Sequence, residues 1–229
     1  YIELNIFSCC FTNNKAKIIY FTHILGLSNL TIIDRCLKNI EKTLQKSIKM
    51  EEIPFEDPDI FKLINNFTTM GIFQLDTSAS LNALLNIRPK NFLEIVATIS
   101  LDRPGPMQFI PTYSRRKEGR ERISYLSPVL KPILEETYGI IVYQEQIMQI
   151  AQIYSGFTFA DADIFRKAIS KKDRNEILKM KASFINGAIK KGHKEQEADI
   201  LFEQILKFAN YGFNKSHAVS YAMIACKEA

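Results

Sequence analysis

The 229 residues predict a mainly α-helical protein with short β segments. Apolar residues recur every three or four positions through most of the chain after residue 30, the period of amphipathic helices. Capping residues and Gly or Pro breaks separate those stretches. Segments that suit strands are few and short, and the longest lie within the first 30 residues.

Those first 30 residues hold only Glu3, Lys15 and Lys17 as charges, and "IFSCCF" and "KIIYFTHIL" suit strands buried in a larger sheet. Thr31 and Asp34 then have capping-box spacing, and Ile33, Leu37, Ile40, Leu44 and Ile48 continue a helical period, predicting a helix over 31–48. Pro54 and Pro58 punctuate a linker before a short helix at 58–66, and "GIFQL" at 71–75 reads as a strand. Helices are expected at 78–86 and 90–99. "LDRPGPM" at 101–107 must be a rigid turn, because two prolines without donors flank a glycine. "GIIVY" at 139–143 reads as a second buried strand, and "QEQIMQIAQIYSG" as a helix closed by Gly156. Thr158 and Asp161 repeat the capping-box spacing ahead of "ADIFRKAI". Helices at 174–190 and 195–209 follow, and a last one starts near Ser216. The chain begins with Tyr1 and ends within a helical pattern, as expected of a piece of something longer.

A hydrophobic content of 46% is enough for a real core, and the formal net charge is +5. The excess is local. Residues 161–194 carry ten basic side chains against four acidic ones, and residues 103–122 carry six against two. Two basic islands on a neutral body fit either solvated helix faces or a surface for a polyanion. Four cysteines, at 9, 10, 36 and 226, show no metal-ligand spacing and fit a reduced, cytoplasmic chain. The uncharged run from Ile18 to Ile33 has only 16 residues and is too polar to cross a bilayer, which needs ~20 apolar residues.

Several clusters suit anions. "FNKSH" at 213–217 offers Asn214 or Ser216 as the cap of a helix with Lys215 and His217 on its first turn, where outward N–H groups and the macrodipole favour a phosphate. An ordinary helix cap accounts for the same residues. "DIFRKAISKK" places Arg166 and Lys167 within a helix and Lys171, Lys172 and Arg174 just past its C-terminal end, where the dipole alone would favour them. Arg103 stands on the rigid "RPGP" loop, a good base for a guanidinium fork holding an oxyanion. Two-metal phosphoryl transfer needs converging carboxylates, yet Asp57 with Asp59 and Asp161 with Asp163 both sit at helix starts where capping explains them. No metal site is assigned within the chain.

Together, "LGLSNLTIID", "GIFQLDT", "LDRPGPM", "RRKEGRERISY", "TYGIIVYQEQIMQIAQIYSGF", "DADIFRKAISKKD" and "FANYGFNKSHAVSYAMIA" resemble, in order and spacing, the bacterial C-family replicative DNA polymerases, the polymerase III alpha subunits. The resemblance runs from about residue 24 to the end. It implies a palm remnant over 1–28 and a helical fingers domain, truncated at its C-terminus, over 29–229. It also implies binding of incoming deoxynucleoside triphosphates and primer-template DNA, with Mg²⁺ required by the parent enzyme. By resemblance, Arg166, Lys167, Lys215, Ser216, His217 and Arg103 would contact nucleotide phosphates. Lys171, Lys172, Arg174, Arg115 and Arg116 would contact DNA. The sliding clamp and other replicase subunits would engage parts of the parent outside this chain.

One position departs from the family. Where a metal-binding Asp precedes "LGL" by two residues, this chain has His23, and a neutral imidazole is a poor ligand for Mg²⁺. The expectation is a chain that holds a nucleotide but does not polymerise by itself. The alternative is a non-catalytic or decayed nucleic-acid-binding helical module that keeps the fingers fold.

Overall fold

The computed structural model describes residues 4–12, 15–23, 28–171, 174–209 and 211–229. It is mainly helical. Its α-helices are α1 (Ser28–Leu44), α2 (Pro58–Asn65), α3 (Ser78–Ile87), α4 (Phe92–Leu101), α5 (Ile110–Lys117), α6 (Lys131–Leu134), α7 (Gln144–Ser155), α8 (Phe159–Lys171), α9 (Arg174–Lys190), α10 (Glu195–Ala209) and α11 (Lys215–Glu228). Packing divides the chain into two units, one of residues 1–99 with 216–229 and one of residues 100–215.

In the first unit, β1 (Leu4–Thr12) and β2 (Lys15–His23) pair antiparallel, with Leu4 opposite His23 and Thr12 opposite Lys15. The apolar runs near the start thus form a two-stranded ladder. Helix α1 begins at Ser28, ahead of the expected cap at Thr31, and Asp34 pairs instead with Lys38 at 2.7 Å. Leu30 and Ile33 of α1 are buried with Ile224 of α11, flanked by Leu37, Met50 and Phe73. The Glu228 carboxylate locks this packing, accepting from Asn29 Nδ2 at 2.8 Å and from the Phe73 backbone N–H at 2.6 Å. Helix α2 starts as its sequence requires, with Pro58 in the first turn and Asp57 accepting from the Asp59 N–H at 2.9 Å.

"GIFQL" is not a strand. Ile72 and Leu75 donate to carbonyls three residues back, and Gln74 adopts a φ of 64°. The buried residues, Ile72 and Leu75, are three apart rather than the two a strand needs, so turns bury both.

The second unit is built on α7, α8, α9 and α10. Phe165, Phe184 and Phe202 are fully buried, with ring centroids 5.6–5.9 Å apart, and Tyr154 stacks on Phe184 at 5.9 Å. Gly156 ends α7 in the left-handed region at φ 74°, and Thr158 and Asp161 form the expected reciprocal cap of α8. "GIIVY" opens in a turn, with Gly139 at φ 80° and the Ile140 N–H donating to the Thr137 carbonyl; its last four residues are buried, and among the described residues it makes one isolated parallel bridge, Tyr143 to Phe213, rather than a ladder. A buried glutamine replaces the ladder: Gln146 Oε1 accepts from the Val142 and Tyr143 N–H groups at 2.8 and 3.0 Å. Its Nε2 donates to the Ile133 carbonyl and Thr137 Oγ1 at 3.1 and 2.9 Å. Helices α5 and α6 have no counterpart in the sequence reading. Pro111 and Pro132 stand in their first turns, where proline starts a helix rather than breaking one.

Candidate functional site

The short bridge between 142–144 and 211–215 is the organising feature of the second unit. Phe213 donates its N–H to the Val142 carbonyl at 3.0 Å and accepts from the Gln144 N–H at 2.9 Å. The Gln144 side chain donates to the Gly212 carbonyl at 3.1 Å and accepts from Arg166 Nη1 at 3.2 Å. Glu145, the next residue of α7, accepts from the Lys215 backbone N–H at 3.0 Å and so caps the start of α11. Arg103 lies with its guanidinium carbon 4.0 Å from the Phe213 ring centroid, a cation–π contact with the same segment. Arg103, Arg166 and Lys215, far apart in sequence, are thus ordered around one bridge.

These cations are already partnered. Both Glu136 carboxylate oxygens accept from Lys215 Nζ at 2.7 Å, and the ammonium stands 5.3 Å from the Tyr143 ring centroid. Burial keeps the Tyr143 phenol protonated, so the ring is an uncharged floor beneath Lys215. Asp163 takes Arg166 at 2.7 Å and Lys167 at 2.6 Å, and Lys167, then Arg166, holds its carboxyl below the usual range. Asp163 is therefore an ion-pair acceptor rather than a cap. Arg166 and Lys215 are about a quarter to a third exposed, whereas Lys167 is 58% exposed.

Glu145 is half-buried, and burial raises its carboxyl pKa against the pull of the Lys215 backbone N–H and the charges of Lys215 and Arg166. A raised folded value means that its contribution to stability is complete below the unfolded value and is lost as pH rises through the folded one. Glu145→Gln keeps an acceptor for the Lys215 N–H without the charge. It is expected to raise the melting temperature at pH 7.5 and leave it nearly unchanged at pH 3.5, followed by circular dichroism.

The other expected residues are distributed as follows. Ser216 and His217 open the α11 portion that belongs to the first unit, where Ser216 O accepts from Ser220 Oγ at 2.8 Å and the His217 ring lies 4.0 Å from that of Tyr221. Arg115 and Arg116 share Glu121, at 2.9 and 2.8 Å, and Arg116 also donates to the Tyr138 carbonyl at 3.1 Å. Lys171 is exposed at the end of α8, Arg174 is the first residue of α9, and Lys172 lies outside the described residues. Gln144, Glu145, Glu136 and Phe213 were not anticipated. The acidic first turn of α7 was visible in "YQEQ", but its partner at 215 is visible only once the chain folds.

Comparison with known proteins decides the family. The model of the bacterial DNA polymerase III alpha subunit finger domain matches residues 29–192. The chain belongs to that family. It is 45% identical over 201 residues to the DNA polymerase III subunit alpha of Halalkalibacterium halodurans, and 47% and 46% identical over 201 residues to those of Staphylococcus aureus strains COL and MRSA252. Each match covers 88% of this chain and 18 or 19% of the relative, so this chain spans about a fifth of the length of the curated relatives it matches.

Among the described residues, no group of three or more His, Cys, Asp or Glu side chains is placed to hold a metal ion. Among the described residues, no helix is long and apolar enough to cross a membrane.

Proposed function

We propose that this chain is the nucleotide- and DNA-contacting part of a DNA-directed DNA polymerase, a helical fingers domain over 29–229 preceded by a palm remnant over 1–28. The observation that carries the reading is the convergence of Arg166 and Lys215 on the first turn of α7 through Gln144 and Glu145. An incoming triphosphate would exchange Glu136 and Asp163 for its own oxygens, leaving Lys215, Arg166 and the exposed Lys167 as its counter-charges. Cations fixed beside the leaving pyrophosphate lower the cost of the charge that develops there. Arg103, held flat on Phe213, is a further phosphate contact, and Ser216 and His217 are assigned to the same role by resemblance alone. Lys171, Lys172 and Arg174 serve the DNA backbone. Mg²⁺ belongs to carboxylates of the parent, and no step is drawn through it.

The test is equilibrium binding of a deoxynucleoside triphosphate to the 229-residue chain. Lys215→Ala and Arg166→Ala are each expected to weaken binding about tenfold, the low end for a charge-assisted hydrogen bond because an internal carboxylate must first be displaced. Wild-type chain that binds no nucleotide, or variants that bind as wild type does, would overturn the reading. His23 favours a second reading, a non-catalytic DNA-binding module with the fingers fold. That module would bind oligonucleotide and ignore the triphosphate.

A further inference from the structure

Most cations of the island at 103–122 are engaged by neighbours in the fold. Arg103 lies on Phe213, Arg115 and Arg116 hold Glu121, and Arg120 holds Glu118. Lys117 is also engaged. Arg122 is different: it is exposed, and it has no acidic partner among the described residues. It lines an open cavity of about 470 Å³ together with Ile123, Ser124, Tyr125, Pro128 and Lys131. Lys131, the first residue of α6, is likewise exposed and without an acidic partner among the described residues. Tyr125 is half-buried, packed against the hydrophobic core of the second unit while also lining the cavity.

An aromatic side chain anchored in the core, with two cations that have no acidic partner among the described residues lining the same open cavity, has the composition of a nucleic-acid stacking site. The volume falls within the ~300–1,000 Å³ of ligand clefts. We propose that this cleft binds single-stranded DNA, an unpaired base stacking on Tyr125 while Arg122 and Lys131 take the adjoining phosphates. A single strand is required because duplex DNA hides the faces of its bases, so the ring could contribute nothing to it. Stacking is indifferent to base identity, so the site follows the strand without reading it. One acid, Glu135, acts electrostatically on the Tyr125 hydroxyl; it is exposed, where salt screens it. The inference rests on the DNA-contacting part of the proposed function and adds a site built from other residues.

The experiment is fluorescence anisotropy of labelled oligo(dT) with the 229-residue chain across a salt series, each variant checked for its fold by circular dichroism. Arg122→Ala with Lys131→Ala is expected to weaken binding about tenfold or more and to reduce the slope of log affinity against log salt by about 1.4, since a single strand loses about 0.7 per phosphate contact. Tyr125→Leu is expected to weaken binding by about 5- to 100-fold with the slope unchanged, and Tyr125→Phe to retain affinity, because stacking needs the ring and not the hydroxyl. If wild-type chain binds and the double variant and Tyr125→Leu bind equally well, this site is overturned and the proposed function stands. Equal losses on blunt duplex overturn the stacking assignment. Wild-type chain that ignores oligo(dT) overturns this site and the DNA part of the proposed function together, while triphosphate binding is scored separately.

Discussion

Gly187→Ala is expected to destabilise the chain by about 2–3 kcal/mol, although helix propensity alone predicts the opposite sign. Gly187 lies inside α9, and in an exposed helix interior the change to alanine would stabilise by up to ~1 kcal/mol. Here α9 passes so close to the end of α7 that a Cβ on residue 187 would fall far inside van der Waals contact with the Ser155 carbonyl oxygen. A backbone carbonyl cannot swing aside as a flexible side chain can. Relief requires α7 and α9 to separate, and Phe184, one turn before the glycine, packs among Phe165, Phe202 and Tyr154. Separation would therefore open gaps between rings that are now in contact. At about 2–4 °C per kcal/mol for a chain of this size, the melting temperature should fall by roughly 5–10 °C. A rise would show that the interhelical approach is looser than the structure has it.

That contact marks where sequence reasoning stops. The period of apolar residues and the caps are local, so the helices later seen as α2, α3, α7, α8, α9 and α10 were legible, with the α8 cap made by the residues expected. "GIFQL" and "GIIVY" misled because a short apolar run has the composition of a buried strand whether or not a partner strand exists. In the fold, turns satisfy the first, and the Gln146 amide supplies part of what a ladder would have given the second. The site followed the same division. Arg166, Lys167 and Lys215 were identifiable as residue types suited to phosphate. That Asp163 holds Arg166 and Lys167 follows from i,i+3 and i,i+4 spacing within α8, whereas Glu136 reaches Lys215 across 79 residues of sequence, which no motif encodes. Some cations of the basic islands hold carboxylates distant in sequence, as Lys181 holds Asp199 and Glu203, and charge counting along the chain does not reveal those partners.

Under the proposed function, Lys215→Ala in a full-length polymerase III alpha subunit that carries this segment is expected to lower kcat/KM for nucleotide incorporation by about 10²–10³-fold, the usual loss when one preorganised charge partner of the transition state is removed. The paired carboxylate makes this separable from a structural role. Lys215 and Glu136 are 31% and 28% exposed, so their pair gives only a modest part of its stability to the fold, and either partner's removal breaks it. If Lys215 served only that pair, Glu136→Gln and Lys215→Ala would lower the melting temperature alike and leave kinetics alike. Under the proposed function the two diverge. Glu136→Gln removes the carboxylate that a triphosphate must displace, so its KM for nucleotide should fall or hold, while Lys215→Ala removes the charge that the triphosphate needs. Steady-state incorporation with both variants, beside their thermal melts, decides the matter: parallel kinetic losses return Lys215 to the fold, and opposite effects place it on the nucleotide.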